Sequence, residues 1–164
     1  MLPNGHRSHA GASAHGSVGV HAEMGADFGV NHAHNIGVQR AFTEGILTTA
    51  CIISAAPWFP EAVRLAKEHT IPVGLHMTYA CEYEGYTFGP LTRAPELSRD
   101  GKGYAFPKST LDIDAKHTNA VKAEIRAQLM RMLDAGLRVD YIEGHMNCIP
   151  RGDGAFADTV AAIW

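Results

Sequence analysis

The feature that most constrains the fold of this chain is an alternation of apolar runs with amphipathic segments. Ile46–Ser54 is β-branched and apolar almost throughout, which is typical of a strand buried on both faces. Phe59–His69 has apolar residues at helical spacing, with Pro60 suited to its first turn, and Ile71–Thr78 is predicted to be the next strand. Strands that alternate with helices form parallel sheets through right-handed crossovers, so the sequence predicts an α/β fold.

The same alternation continues on both sides of this unit. We predict two further strands and three further helices, over Val18–His21, Leu137–Ile142, Asn35–Gly45, Asn119–Ala135 and Ala155–Trp164. Gly25–Gly29 is predicted to be a glycine-flanked loop, and Tyr79–Asp114 is a long stretch without clear periodicity, of the kind that is usually functional or disordered. About four parallel strands with flanking helices make half a barrel or a small open sheet.

Composition limits the kinds of partner that the chain can have. Residues 1–17 are rich in Gly, Ala, Ser and His and are predicted to be a disordered leader, with one domain over residues 18–164. The net charge of −3 indicates neither nucleic acid nor an anionic membrane as a partner, and no apolar run approaches the ~20 residues of a spanning helix. Cys51, Cys81 and Cys148 are predicted to be buried thiols, so we expect a cytoplasmic protein.

Three residues with metal-binding side chains are predicted to follow or end strands, namely Asp27, His76 and His145. Because the carboxyl ends of parallel strands meet at one rim, these side chains are expected to lie close together. One carboxylate and two imidazoles suit Zn, Mn, Fe or a similar ion with positions open for water. Each residue also has a plainer interpretation: Asp27 and His145 could form turns, and His76 could be a core histidine.

The order of short motifs resembles that of the YdjC-like carbohydrate deacetylases, the chitooligosaccharide deacetylase family. The motifs are Ala-Asp-Phe-Gly at 26–29, His32 with Asn35, Glu-Gly-Ile-Leu-Thr-Thr at 44–49, Pro-Trp-Phe at 57–59, Gly-Leu-His-Met-Thr at 74–78, Phe-Gly-Pro at 88–90, Glu-Ile-Arg-Ala-Gln at 124–128 and Glu-Gly-His at 143–145. The resemblance covers about residues 18–150. It implies a partial, distorted β/α barrel like that of glycoside hydrolases and deacetylases, which removes N-acetyl groups from amino-sugar oligosaccharides.

The resemblance also implies roles for individual residues. Asp27, His76 and His145 correspond to the ligands of a divalent metal, with Zn or Mg expected. Such a metal polarises the acetamide carbonyl and lowers the pKa of a bound water. Glu143 stands where the family has an aspartate, and we expect it to orient His145. Four residues are candidate contacts for the sugar, with solvent exposure or loop packing as the alternative: His32, Tyr83, Tyr86 and Phe88.

Two departures from the family pattern favour other interpretations. Ala26 stands where the family carries an aspartate that is expected to act as the general base, and Glu23 is the nearby carboxylate that could substitute for it. The chain also ends at Trp164, before the second half of the barrel. An impaired fragment or pseudoenzyme that binds metal or sugar without turnover is therefore the alternative, as is a protein whose histidines are structural. A half-barrel would leave an apolar face for a second copy to cover.

Overall fold

The structure is a computed structural model, and it describes residues 23–109 and 118–148. Its four strands are parallel and lie in the sheet in the order in which they occur in the chain: β1 Glu23–Phe28, β2 Leu47–Ile52, β3 Val73–Met77 and β4 Val139–Gly144. The helices between them are α1 His32–Thr43, α2 Phe59–Glu68 and α3 Thr118–Asp134, with short 3-10 turns at Pro95–Leu97 and His145–Asn147. The predicted α/β fold is confirmed.

The strand order explains why the two faces of the sheet differ. Each crossover moves one strand in the same direction, so right-handed crossovers bring their helices to the same face, as in a β/α barrel. The hydrophobic core on that face includes Ile52, Leu75, Met77, Ile125, Leu129 and Met132. On the other face, Thr49 Oγ1 lies 3.0 Å from the Tyr141 hydroxyl and Cys51 Sγ lies 3.3 Å from Glu143 Oε2. The described part of that face therefore carries hydrogen-bonded polar side chains, where an apolar face was expected.

The first strand differs most from its prediction. β1 runs through most of the segment that was expected to be the loop Gly25–Gly29, while the predicted strand Val18–His21 lies outside the described residues. Pairing with β2, from Glu23 opposite Leu47 to Phe28 opposite Ile52, overrides the weak strand propensity of this stretch. Asp27 therefore lies within β1 and not in a loop after it.

The remaining predicted elements shift by a few residues. Helix α1 begins at His32 and not at Asn35, because the Asn31 side chain caps it by accepting a hydrogen bond from the His34 amide at 2.9 Å. Strand β4 extends to Gly144 and so includes Glu143. Strand β3 is buried throughout, whereas β2 is fully buried only over its second half, so burial on both faces holds for only part of β2. The leader and the predicted helix Ala155–Trp164 lie outside the described residues.

The long segment after β3 is fixed to α3 through its backbone. Glu124 accepts hydrogen bonds from the amides of Leu91 and Thr92, each at 3.0 Å, and from the Thr92 hydroxyl at 2.7 Å. Gln128, one turn along α3, bonds both the amide and the carbonyl of Thr78 at the end of β3. These contacts hold both ends of the stretch between Thr78 and Leu91, which lies against the candidate site described below.

Two further observations bear on the sequence predictions. All three cysteines are buried and free, as predicted. Among the described helices, none combines the length and the apolar character that crossing a membrane requires.

Candidate metal centre

Three ligand atoms from three strands converge at the carboxyl rim of the sheet. Asp27 Oδ1 lies 3.3 Å from His76 Nε2 and 3.2 Å from His145 Nδ1. The two ring nitrogens are 3.1 Å apart. The structure therefore brings together the three residues that the sequence predicts as metal ligands.

The backbone of β1 turns the Asp27 carboxylate toward this point. The pairing register with β2 shifts between Gly25 and Phe28, and Asp27 has a φ of 58°, in the left-handed region. Aspartate tolerates that region better than most residues, yet the conformation still costs about 1 kcal/mol. Bulges of this kind re-aim a side chain next to functional sites. The conformation of Asp27 is thus explained by the direction that its carboxylate takes.

The three atoms fit a single divalent ion. Ligands held about 2.1 Å from one ion lie about 3.0 Å apart at octahedral angles and about 3.4 Å apart at tetrahedral angles, and the observed separations fall between these values. Asp27 Oδ1 is buried without a well-formed hydrogen bond, although the whole side chain is 26% exposed. A buried carboxylate oxygen that faces two imidazoles without a well-formed hydrogen bond has a lone pair free to bind a cation.

His145 presents one nitrogen to the centre and bonds a carboxylate with the other, whereas the outer nitrogen of His76 lies near a carboxylate without a well-formed hydrogen bond. His145 Nε2 lies 2.9 Å from Glu82 Oε2, and His76 Nδ1 lies 3.5 Å from Glu143 Oε2. This carboxylate–histidine arrangement fixes ring orientation and tautomer in metal sites. The prediction that Glu143 orients His145 is wrong, because the strand register places Glu143 opposite His76. Sequence reasoning missed Glu82, since its position depends on the path of an aperiodic segment.

Charge around the centre follows from these contacts. Burial would raise the pKa of Asp27, but His145 and His76 outweigh it and hold that pKa well below its usual range. Burial would lower the pKa of His145, but Asp27 and Glu82 outweigh it and raise that pKa. Burial and the neighbouring Glu143 raise the pKa of the Cys51 thiol. Cys51 therefore stays protonated at neutral pH and donates to Glu143, although Cys51, His76 and Glu143 also lie close enough together to form a metal-ligand group.

The aromatic candidates divide into two kinds. Tyr83 and Tyr86 stack on each other with ring centroids 5.4 Å apart, and both hydroxyls are buried without a well-aligned hydrogen bond among the described residues. Burial, together with the carboxylate of Asp27, raises the pKa of Tyr83, so its hydroxyl remains a proton donor. Phe88 is only 6% exposed and packs edge-on against Phe106. Its position favours the packing interpretation for that ring.

The two remaining candidates begin the secondary-structure elements before and after the loop that follows Asp27. His32 begins α1, is 58% exposed and contacts Glu61 at 2.9 Å. Glu23 begins β1 opposite Leu47, four residues before Asp27, which is up to about 13 Å of extended chain. A general base must lie within hydrogen-bond reach of the water, so this backbone position argues against Glu23 in that role.

Comparison with known proteins gives consistent matches. Residues 24–162 match the family described as YdjC-like protein. A carbohydrate deacetylase from Brevibacillus brevis is 32% identical over 120 residues, which cover 73% of this chain and 46% of that protein. A carbohydrate deacetylase from Geobacillus stearothermophilus is 30% identical over the same shares of each chain. The chain thus spans about half the length of the curated relatives it matches.

A solved structure shows a similar fold. It is that of a protein from Enterococcus faecalis to which cellobiose-phosphate cleavage is ascribed, and it superposes with a TM-score of 0.66 at 23% identity. The superposition covers 85% of this chain and 53% of that one. At this level of identity the likeness concerns the fold alone, and it agrees with a sheet whose strands follow the order of a larger β/α fold.

Proposed function

The chain belongs to the YdjC-like protein family, and from this premise we propose that it is a metal-dependent hydrolase that removes acetyl groups from N-acetylated amino-sugar oligosaccharides. The observation that carries the proposal is the convergence of Asp27 Oδ1, His76 Nε2 and His145 Nδ1 within 3.3 Å of one another. Relatives named carbohydrate deacetylases support the reaction class.

Asp27, His76 and His145 are the residues that would hold the ion. Two imidazoles and one carboxylate suit Zn better than Mg, because Mg prefers oxygen ligands and keeps several waters. A divalent metal held by these residues would supply Lewis-acid polarisation of the acetamide carbonyl and would make the attacking water more acidic. Glu82 and Glu143 act as positioning residues, since each faces the ring nitrogen that points away from the centre.

Deacetylation of an amino sugar is amide hydrolysis. Water oxygen bonds to the carbonyl carbon, the carbon–nitrogen bond breaks, and the departing amine nitrogen takes up a proton. Tyr83 and Tyr86 carry hydroxyls without well-aligned partners, which supports a role in donating hydrogen bonds to the acetamide or to sugar hydroxyls. We retain both as proposed substrate contacts, together with His32.

A second candidate function, metal or sugar binding without turnover, rests on Ala26. This residue precedes Asp27 on β1 and has no group that can accept a proton. If the family base is needed at that position, the chain holds the ion and the sugar but hydrolyses slowly or not at all. The Ala26→Asp variant distinguishes the two, because it restores a carboxylate next to Asp27.

The test combines metal content with acetate release. Elemental analysis of the purified protein should give one equivalent of metal, which His76→Ala should lose. Acetate release from N-acetylglucosamine oligosaccharides, with Zn or Mg supplied, then reports on turnover. One bound metal without acetate, and acetate only from Ala26→Asp, would establish the second function. Neither metal nor acetate in any variant would contradict both.

We also propose a compartment and an oligomeric state. Three free, buried cysteines are typical of a reducing compartment, which supports the cytoplasm. In the described sheet β1 is an edge strand, and Met24 within it is 37% exposed, which supports pairing along this edge with a second copy of the chain. Light scattering on the purified protein tests this, since a monomeric mass across the concentration range would exclude the pairing.

A further inference from the structure

We propose that Trp58 and His32 form a binding subsite for one sugar ring at the rim of the sheet, beside the metal centre. The inference rests on the proposed function, because it assigns the residues that recognise the oligosaccharide. Neither Trp58 nor its supporting residues take part in the metal centre itself.

The indole of Trp58 is exposed at the end of the sheet where the metal ligands lie. It is 44% exposed, directly before α2, which follows the carboxyl end of β2. Its backbone amide donates to the carbonyl of Gly29 at 3.0 Å, and Gly29 lies two residues after Asp27. Trp58 therefore stands beside the loop that leaves the metal-binding strand.

The position of Trp58 is fixed by a network that reaches the same loop. Asn35 is fully buried; its Oδ1 accepts from the Gly29 amide at 2.7 Å, and its Nδ2 donates to the Trp58 carbonyl at 3.2 Å. Asn35 Nδ2 also donates to Glu61 Oε2 at 2.8 Å, and Glu61 Oε1 lies 2.9 Å from His32 Nδ1. The same buried amide thus anchors the loop after Asp27, the tryptophan and the carboxylate that holds the histidine.

His32 completes the surface. Its ring centroid lies 5.5 Å from that of the Trp58 ring, at an interplanar angle of 45°. The contact with Glu61 favours the tautomer that carries hydrogen on Nδ1, which leaves Nε2 as an acceptor. The exposed residues thus form an aromatic face with a polar acceptor at its side. Ile46 and Tyr104 are more exposed than Trp58. Ile46, however, lies at the amino-terminal end of β2, away from the end of the sheet where the metal ligands lie.

A pyranose ring matches this surface. One face of an N-acetylglucosamine ring presents axial C–H groups, which pack on the negative face of an aromatic π-system, while its hydroxyls lie at the edge. The imidazole Nε2 of His32 can accept a hydrogen bond from such a hydroxyl. The backbone of Trp58 is already held at its amide and its carbonyl, so sugar binding does not have to order the main chain there. The ligand of Trp58 and His32 is therefore the sugar ring next to the one that carries the reacting acetamide.

Tryptophan fluorescence tests the subsite without turnover. The sequence has two tryptophans, Trp58 and Trp164, so the Trp164→Phe protein reports on Trp58 alone. Metal-free Trp164→Phe protein is titrated with the β-1,4-linked disaccharide of N-acetylglucosamine. We expect a saturable change in emission, and His32→Ala in the same background should weaken the affinity several-fold.

Variants of the metal-loaded protein extend the test to the reaction. Trp58→Ala should raise KM, and the dissociation constant measured by calorimetry, about tenfold, while Trp58→Phe should recover part of the loss. Ile46→Ala, an exposed apolar truncation at the far end of β2, serves as the matched control and should change neither quantity. If saturating sugar does not change the fluorescence of Trp58, or if Trp58→Ala leaves the affinity for sugar unchanged, the proposed subsite is wrong. Wild-type acetate release separately decides the proposed function.

Discussion

Asp27 and Glu124 both carry carboxylates that lie near the sheet, but the two differ in how their oxygens are hydrogen-bonded. Glu124 is fully buried on a regular helix, and its oxygens accept hydrogen bonds from Leu91, Thr92 and Gln128. Asp27 sits in a left-handed backbone conformation, and its buried Oδ1 makes no well-formed hydrogen bond while facing two imidazoles. The fold supplies hydrogen-bond donors to the carboxylate of Glu124. It leaves Oδ1 of Asp27 without a well-formed hydrogen bond, on a residue with a strained backbone conformation.

This difference in hydrogen bonding distinguishes a carboxylate with a structural role from one that can bind a ligand. A buried carboxylate that is saturated with hydrogen bonds stabilises the packing of a loop but has no lone pair left for a ligand. A buried carboxylate oxygen that lacks a well-formed hydrogen bond and faces two imidazole nitrogens keeps its capacity to bind a group from outside the chain. Burial of a charged residue alone does not distinguish the two cases; the number and geometry of its partners does.

Replacing Asp27 by Asn gives the largest expected effect. We expect the affinity for Zn to fall by well over about 100-fold, because a charged ligand is lost. The metal-free protein should also lose unfolding free energy at neutral pH, because the lowered pKa of Asp27 reflects stabilisation of its charged form by His145 and His76, although Asn keeps the shape and tolerates the left-handed backbone. Competition with a chromophoric chelator and urea unfolding measure the two quantities. An unchanged affinity for Zn would break the comparison, because it would remove Asp27 from the metal centre.

Replacing Glu124 by Ala should show the opposite pattern. The amides of Leu91 and Thr92 and the side chain of Gln128 lose their acceptor, so the unfolding free energy should fall by about 2 kcal/mol. Zn affinity should change by less than about tenfold, because Glu124 contacts no ligand. Glu68→Ala is the control: this exposed glutamate pairs with Arg64 on α2 and should cost about 0.5 kcal/mol or less. A loss of metal affinity at unchanged stability would contradict the assignment.

Replacing Glu82 by Ala tests the support of His145. We expect Zn affinity to fall about tenfold or somewhat more, because the ring loses the 2.9 Å contact that orients its Nδ1 toward the centre. Glu84→Ala is the matched control, two residues along and paired with Lys108 at the surface, and should leave affinity unchanged. Equal losses of Zn affinity in both variants would indicate a general effect of charge and would contradict the role of Glu82 in supporting His145.

The arrangement of strands and ligands could be predicted because it depends on local patterns. Apolar runs and helical spacing gave β2, α2, β3 and α3 to within a few residues. His76 follows from its position at the end of β3, since side chains there point to the rim of a parallel sheet. The same rim argument connected it with Asp27 and His145, the family resemblance added their correspondence to metal ligands, and the three do converge.

What could not be predicted depends on register and on contacts distant in the sequence. Glu143 was predicted to support His145, its near neighbour in the sequence, whereas pairing of β4 with β3 places it opposite His76, a contact that sequence spacing does not encode. Glu82 and Glu124 take their roles from the path of an aperiodic segment, which no periodicity encodes. The bulge at Asp27 is also a property of pairing with β2, and glycine and alanine neighbours suggested a loop instead.

Replacing Glu143 by Ala should have the smallest effect on the metal. Its carboxylate lies 3.5 Å from His76 Nδ1, against 2.9 Å for Glu82 and His145, and it also accepts from Cys51. The contact is longer and shared, so we expect Zn affinity to fall only about threefold. The Glu82→Ala, Glu143→Ala double variant, measured by the same competition, should depart from the sum of the two losses in free energy, because the rings that the two carboxylates contact have nitrogens only 3.1 Å apart. An effect of Glu143→Ala larger than that of Glu82→Ala would reverse the order of the two supports and make His76 the more dependent ligand.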